Sequence, residues 1–575
     1  MRRSSWGIVA AILSVVLLLS GLYVAATYNS DFGRLQVRTI SIEDSGKLLS
    51  GLIYVPNAAT IENPCPAVVV AHGISESKDM MSNIGLELAK RQFVVICLDL
   101  IGHGQSDGTV EEGNSEIDFG VSAAVKYLQT LPYVNSSEIE LVGHSLGGGA
   151  VRAVAIENKN IFATVLIAGG LGAQVQSPDY GVFNATFPKN LLIIVGKYDV
   201  LFNLTELETS ELPSAFNCSN PVIPDITYGS FEFGTARRLV DPSTTHLFEP
   251  IDSETVAEIV NWTANTLKLN RNAEIDSSIN LSYPEREIAL VLALVGSIGI
   301  SLISVYPISK LLPKPSYETG KSEIKAKSQS RVYLTWFLLN LVLFFPMILV
   351  GYAISFPPLL FGASIAWWVL VTGLIGILLF AKNMPKLWAT KPNLRETIFS
   401  SFSISGTVVA IVAFLILFCL SSGIQVFSKL DLRILAPILQ EITQLRRALA
   451  FAVFIPFFFA YFLAEAFYLH LSKNSHASSM NKVEKTTEWA KVVFVKISPF
   501  LSVIAVQYLP KLILGIWVLP SALGFVAEFF WLIIPIFIIT TTCSWWFKDK
   551  TGGIWAGTFF NTLMLAWIAS VVFPF

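Results

Sequence analysis

The sequence predicts a doubly wound, mainly parallel α/β domain joined to an all-α transmembrane domain. Composition gives the first indication: hydrophobic residues are 53% of the chain and charged residues 14%, and the mean hydropathy is positive, a balance outside that of a soluble domain. The apolar residues are also unevenly spread. Residues 28–287 read as an ordinary soluble domain, whereas nearly everything after Ile288 is hydrophobic. Within the soluble stretch, short apolar runs bounded by turn residues alternate with helical patterns, as in a parallel sheet covered on both faces.

Taken in chain order, Met-Arg-Arg-Ser-Ser precedes an apolar stretch from Trp6 to Thr27, long enough to cross a bilayer and longer than a signal-peptide core. Residues 1–27 therefore read as an anchor or uncleaved signal. Arg2 and Arg3 hold its start in the cytoplasm, so that residues 28–287 are exported. Residues 288–575 offer eight further spans, near Ile288–Ile308, Val332–Ile354, Leu359–Ala381, Ile404–Phe427, Leu449–Leu471, Val492–Pro520, Leu523–Thr542 and Ile554–Phe573. Alternate connections carry the Lys and Arg excess, including Lys310, Lys314, Lys321, Lys386, Lys391 and Lys473, which fits one shared cytoplasmic side. The external connection SKLDLRILAPILQEITQLRR reads as a helix lying on the membrane surface. Sequons at Asn135, Asn184, Asn203, Asn217, Asn261 and Asn280 all fall in the soluble domain, as expected of a glycan-exposed surface.

Some chemistries are excluded or left unsupported. A net charge of −2 without a basic stripe offers nothing to nucleic acid. The five cysteines contain no C-x-x-C pair, so no metal site and no cofactor is called for. Cys65 and Cys218 could pair in an oxidising space, a question that spacing leaves open, and Cys97 reads as core.

The soluble runs Ala67–Ala71, Phe93–Leu98, Glu138–Val142, Ile161–Ile167 and Leu191–Val195 read as buried strands. Gly143-His144-Ser145-Leu146-Gly147 follows the third of them and precedes a helical stretch, the setting in which G-x-S-x-G exposes a serine at the carboxyl edge of a sheet. A serine hydroxyl is a weak nucleophile, so it needs an imidazole to take its proton and an acid to orient that imidazole. Asp199 stands just past the strand LLIIVG, and His246 lies in DPSTTHLFEP ahead of a helix from Ser253 to Leu267. His72-Gly73 follows the strand AVVVA and offers, with the elbow, the N–H groups of Ile74 and Leu146 as an oxyanion hole. Among the six histidines, His72 and His103 read as structural, His144 as packed beneath the elbow, and His470 and His476 as too distant to join Ser145.

The set HG, D-x-x-G-x-G-x-S, G-x-S-x-G, then Asp and His in order resembles the α/β-hydrolase superfamily from about Leu35 to Leu269. The short interval Gly169–Asn190 leaves no room for a large cap, as in the compact dienelactone-hydrolase or acyl-peptidase-like branches, although dienelactone hydrolases carry cysteine where this chain has Ser145. That resemblance implies a membrane-tethered serine hydrolase with Ser145 as nucleophile, His246 as base and Asp199 as orienting acid, acting on an ester, thioester or amide. The partner expected is an acyl-containing substrate, a lipid or cell-envelope component among the choices. Acyl transfer to an acceptor presented by the membrane domain, and a transporter or sensor with a ligand-binding outer domain, are the competing readings. Arg237 and Arg238 read either as surface residues or as binders of an anionic group. In the spans, Glu465, Glu528 and Lys511, with Asn340, Gln507 and Asn561, are costly unless paired, and a Glu–Lys pair is expected.

Overall fold

The computed structural model describes residues 2–171, 183–219, 221–268, 280–311, 326–387, 402, 404–471 and 481–575. These residues form two compact units. One comprises Ser20–Val291 with Ile424–Ile438 and Pro574–Phe575; the other comprises Met1–Leu19, Leu292–Gly423 and Leu439–Phe573.

The first unit is built on a nine-stranded sheet. Its strands are β1 (Leu35–Asp44), β2 (Lys47–Pro56), β3 (Cys65–Ala71), β4 (Val94–Leu98), β5 (Val134–His144), β6 (Ala163–Ile167), β7 (Leu191–Ile194), β8 (Thr227–Tyr228) and β9 (Arg237–Val240). They lie in the order β1-β2-β4-β3-β5-β6-β7-β9-β8. The six strands from β4 to β9 pair in parallel, and β1, β2 and β8 add antiparallel edges. Both faces are buried, which is why β3 and β4 read as unbroken apolar runs. Ala67, Val69 and Ala71 face the core shared with the helices Val121–Thr130 and Leu146–Glu157. Val68 and Val70 face the opposite core, with the helices Ser82–Ala89 and Ser253–Lys268.

The connection expected as a surface helix is instead a hairpin of β10 (Leu432–Ile434) and β11 (Ala436–Leu439). Leu430, Asp431, Leu432, Arg433 and Ile434 alternate apolar and polar residues, the period of a strand. The polar members find partners that a membrane-surface helix would not supply. Asp431 and Arg433 are a buried ion pair, and Arg433 also donates from Nη2 to the Asp79 carbonyl at 3.0 Å. Removing Arg433 leaves a buried carboxylate uncompensated, so Arg433→Ala is expected to cost about 3–5 kcal/mol. A lowered thermal midpoint of the full-length protein, partly restored by adding Asp431→Ala, is the check.

Among the described residues, nine helices are long and apolar enough to cross a membrane. Their backbone groups bond within each helix, as a bilayer requires. Two spans depart most from the sequence expectation. The helix forecast for Val492–Pro520 runs from Lys482 to Leu514: Asn481 and Glu484 cap its start reciprocally, and left-handed Gly515 ends it. The run forecast for Leu523–Thr542 is two helices, Ser521–Glu528 and Phe530–Thr551. The connections rich in Lys and Arg fall largely outside the described residues.

The intramembrane pairing also differs. Glu465 pairs with Lys496, and both side chains are buried. Lys511 instead lies over the Trp517 ring at 4.9 Å, and Glu528 accepts a hydrogen bond from the Tyr508 hydroxyl at 2.9 Å. Choosing among cations 31 residues or more away requires knowing which helix faces meet. Glu465→Ala strands the Lys496 ammonium and is expected to destabilise the protein by about 3–5 kcal/mol, whereas Glu465→Leu with Lys496→Met restores most of that loss. Thermal unfolding of the full-length variants in detergent measures both.

Candidate active site

Strand β5 delivers Ser145 to the carboxyl edge of the sheet, and the turn that follows is tight. Ser145 adopts φ 51° and ψ −114°, a region that side chains rarely occupy and that persists only where the surroundings enforce it. Here the Ser145 N–H donates to the Ile167 carbonyl at 2.8 Å, and the Gly147 N–H donates to that of His72 at 3.1 Å. The flanking glycines follow from this close crossing. A Cβ on Gly143 would lie 2.3 Å from the Gly147 oxygen, and one on Gly147 would lie 2.5 Å from the Ala71 oxygen.

The structure brings together the three residues expected from sequence. Ser145 Oγ is 2.9 Å from His246 Nε2, and His246 Nδ1 is 2.8 Å from Asp199 Oδ2. Because Asp199 accepts at Nδ1, that nitrogen carries the proton and Nε2 is left to accept from the serine. Asp199 follows β7, and its other oxygen takes the Leu201 N–H at 2.6 Å. His246 opens a short 3-10 turn, His246–Ile251. Its imidazole is 2% exposed and stacked beside Phe202 at 6.3 Å. Burial works against the imidazolium, but the Asp199 charge and hydrogen bond outweigh it, so the His246 pKa is raised above its ordinary value of 6.5.

The loop after β3 lies against this serine. A Cβ built on Gly73 would be 3.1 Å from Ser145 Cβ and 2.8 Å from His144 Nδ1. Ile74 comes next in that loop, and Leu146 opens the helix Leu146–Glu157, where a first-turn N–H has no carbonyl four residues back within the helix.

The other histidines have defined places. His72 Nε2 accepts the Leu100 N–H at 3.1 Å, and its Nδ1 donates to the Gly73 carbonyl at 2.7 Å. Both His72 and His103 are buried. His144 does lie behind the elbow, but it is polar on both sides: Glu76 lies 3.1 Å from Nδ1 and Glu249 lies 3.5 Å from Nε2. Sequence reasoning passed over both glutamates. The only signal was their place, three residues beyond Gly73 and three beyond His246. His470 sits in the membrane unit, and His476 lies outside the described residues.

Arg237 is no anion binder at the surface. It is buried in β9 and donates to the carbonyls of Ala236 at 2.8 Å and Asn184 at 3.1 Å. Arg238 pairs with Glu258 and Asp225. Cys65 and Cys218 are not joined to each other in a disulfide. Among the described residues, His144, His246 and Glu249 could bring three metal-ligand atoms within 4.8 Å of one another. However, both His144 nitrogens face acceptors, the pattern of an imidazolium that has no lone pair to give a metal.

Residues 66–191 match the alpha/beta hydrolase fold family. An uncharacterized protein of Mycobacterium tuberculosis is 34% identical over 114 residues, which cover 19% of this chain and 31% of that protein. Cutinase 1 of Thermobifida cellulosilytica is 27% identical over 116 residues, covering 20% of this chain and 42% of its own. The chain thus spans less than half the length of the curated relatives it matches. Among solved structures, an esterase of Pyrococcus furiosus aligns at 17% identity, 42% of this chain, 93% of its own and a TM-score of 0.31. Dienelactone hydrolase from Anabaena variabilis aligns at 19% identity, 41% of this chain, 98% of its own and a TM-score of 0.29.

Proposed function

We propose that this α/β hydrolase, joined to a multi-span membrane unit, is an extracytoplasmic serine esterase that works through an acyl-enzyme. The observation that carries this reading is the unbroken hydrogen-bond path from Ser145 through His246 to Asp199. Ser145 Oγ attacks the ester carbonyl while His246 Nε2 takes its proton, and the N–H groups of Ile74 and Leu146 bind the oxyanion as it forms. His246 then protonates the departing alcohol. In the second half, a water gives its proton to His246 and attacks the acyl-serine, the carboxylic acid departs, and Ser145 recovers its proton. Asp199 stays ionised throughout and orients the imidazole. The similarity to a cutinase supports an ester as the bond cleaved.

Export is supported by the sequons: Asn184, Asn203, Asn217 and Asn280 are exposed, and Asn135 and Asn261 are half-buried. Each could present a glycan at the surface, and Arg2 and Arg3 before the first span favour the same orientation. The reading predicts that a fluorophosphonate probe labels the folded full-length protein at Ser145 and abolishes its ester hydrolysis. Folded protein that hydrolyses p-nitrophenyl esters yet carries no label on Ser145 would show that another group does the chemistry. Transfer product exceeding free acid, with candidate lipid alcohols present, would move the reading to acyl transfer.

A further inference from the structure

Three buried ionisable side chains beside the site have no part in that mechanism: Glu76, His144 and Glu249, whose side chains are 7%, 2% and 0% exposed. Each is tied to a different piece of the machinery. Glu76 Oε2 accepts the Gly73 N–H at 2.7 Å, in the loop that carries Ile74. His144 directly precedes Ser145, and its Nε2 lies 3.0 Å from the His246 carbonyl. Glu249 Oε1 accepts the Gly196 N–H at 2.7 Å, and the Gly196 carbonyl in turn accepts the Asp199 N–H at 3.0 Å. His144 is the link between the two glutamates.

Every group facing the two His144 nitrogens is an acceptor, so the ring can satisfy them all only as an imidazolium. Burial opposes that charge, but Glu76, together with Glu249, pushes the His144 pKa up to about 10. Near neutral pH the ring is thus a fixed double donor. Glu76 is held below the usual carboxylate range by His144 despite its burial, and burial raises Glu249.

We propose that Glu76, His144 and Glu249 are positioning residues: a buried chain that fixes the oxyanion loop, the elbow, the His246 turn and the Asp199 loop against one another. The proposal rests on the serine-esterase reading above. Its expected signature is in turnover rather than affinity, because an error of about 1 Å in the reacting geometry costs roughly 100-fold. It also predicts opposite electrostatic effects on His246, which faces Asp199, Glu249 and the His144 ring centred 5.0 Å away. The His144 cation lowers the His246 pKa and Glu249 raises it.

The test uses full-length protein in detergent, p-nitrophenyl acetate as probe, and the variants Glu76→Gln, His144→Gln and Glu249→Gln. Each is expected to lower kcat by roughly 10–100-fold while KM changes little. The acid limb of kcat/KM should move to higher pH in His144→Gln and to lower pH in Glu249→Gln, a divergence that general loosening of the fold would not produce. Variants with wild-type kcat, or acid limbs moving the same way, would overturn the proposal. Should His144→Gln fail to fold, Glu249→Gln decides alone: an acid limb that stays put or rises counts against the chain. A wild-type protein that neither turns over the probe nor labels at Ser145 would instead remove the serine-esterase reading, and this inference with it.

Discussion

Ser145→Ala is expected to lower ester turnover by roughly 10⁴–10⁶-fold while leaving the fold intact. The loss is this large because the substitution removes the oxygen that forms the proposed acyl-enzyme. His246 Nε2, 2.9 Å from Oγ in the wild type, is then left with no serine proton to accept. The residual rate would come from oxyanion stabilisation and substrate positioning acting on water. Stability should hardly change, because Ser145 is only partly buried and alanine faces the same backbone conformation as serine at φ 51°. Hydrolysis rates beside thermal midpoints of the two proteins provide the check. A Ser145→Ala protein that keeps more than about a tenth of wild-type activity is incompatible with the triad mechanism.

Asp199→Asn is the second large effect, about 10⁴-fold in kcat. An amide at position 199 can donate to Nδ1, which turns the imidazole to the tautomer with its proton on Nε2, where it can no longer accept from Ser145. The pH profile should move as well, and its sign follows from the site. His246 acts as a base only when neutral, and Asp199 raises its pKa. Activity in the wild type therefore falls as pH drops through a value above 6.5. Without the aspartate charge, burial dominates and the acid limb of the remaining kcat/KM shifts to lower pH. A limb that stays in place would mean that Asp199 does not set the state of His246.

Much of this site is legible in the sequence because its cues are local. Gly143 and Gly147 mark the sharp turn around Ser145, an aspartate ends a strand, and few histidines compete for the base. The supporting polar chain is not legible in the same way. Glu76 lies 68 residues from His144, and nothing in SESKDMM says that the carboxylate of Glu76 turns inward. The same limit applies to Glu465, whose partner is Lys496 rather than Lys511, and to Arg433, which reads as a membrane-surface cation until its pairing with Asp431 is seen.

The sequence by itself determined the parallel α/β sheet, the membrane-spanning half, and the order Ser145, Asp199, His246, because periodicity, hydropathy and turn chemistry are properties of neighbouring residues. Only the tertiary structure decided which buried charges meet and that residues 432–438 form a hairpin that groups with the α/β unit. The physical reason is desolvation. A charge is tolerated in the interior only beside a suitable partner, and that partner is chosen by the packing of elements far apart in the chain.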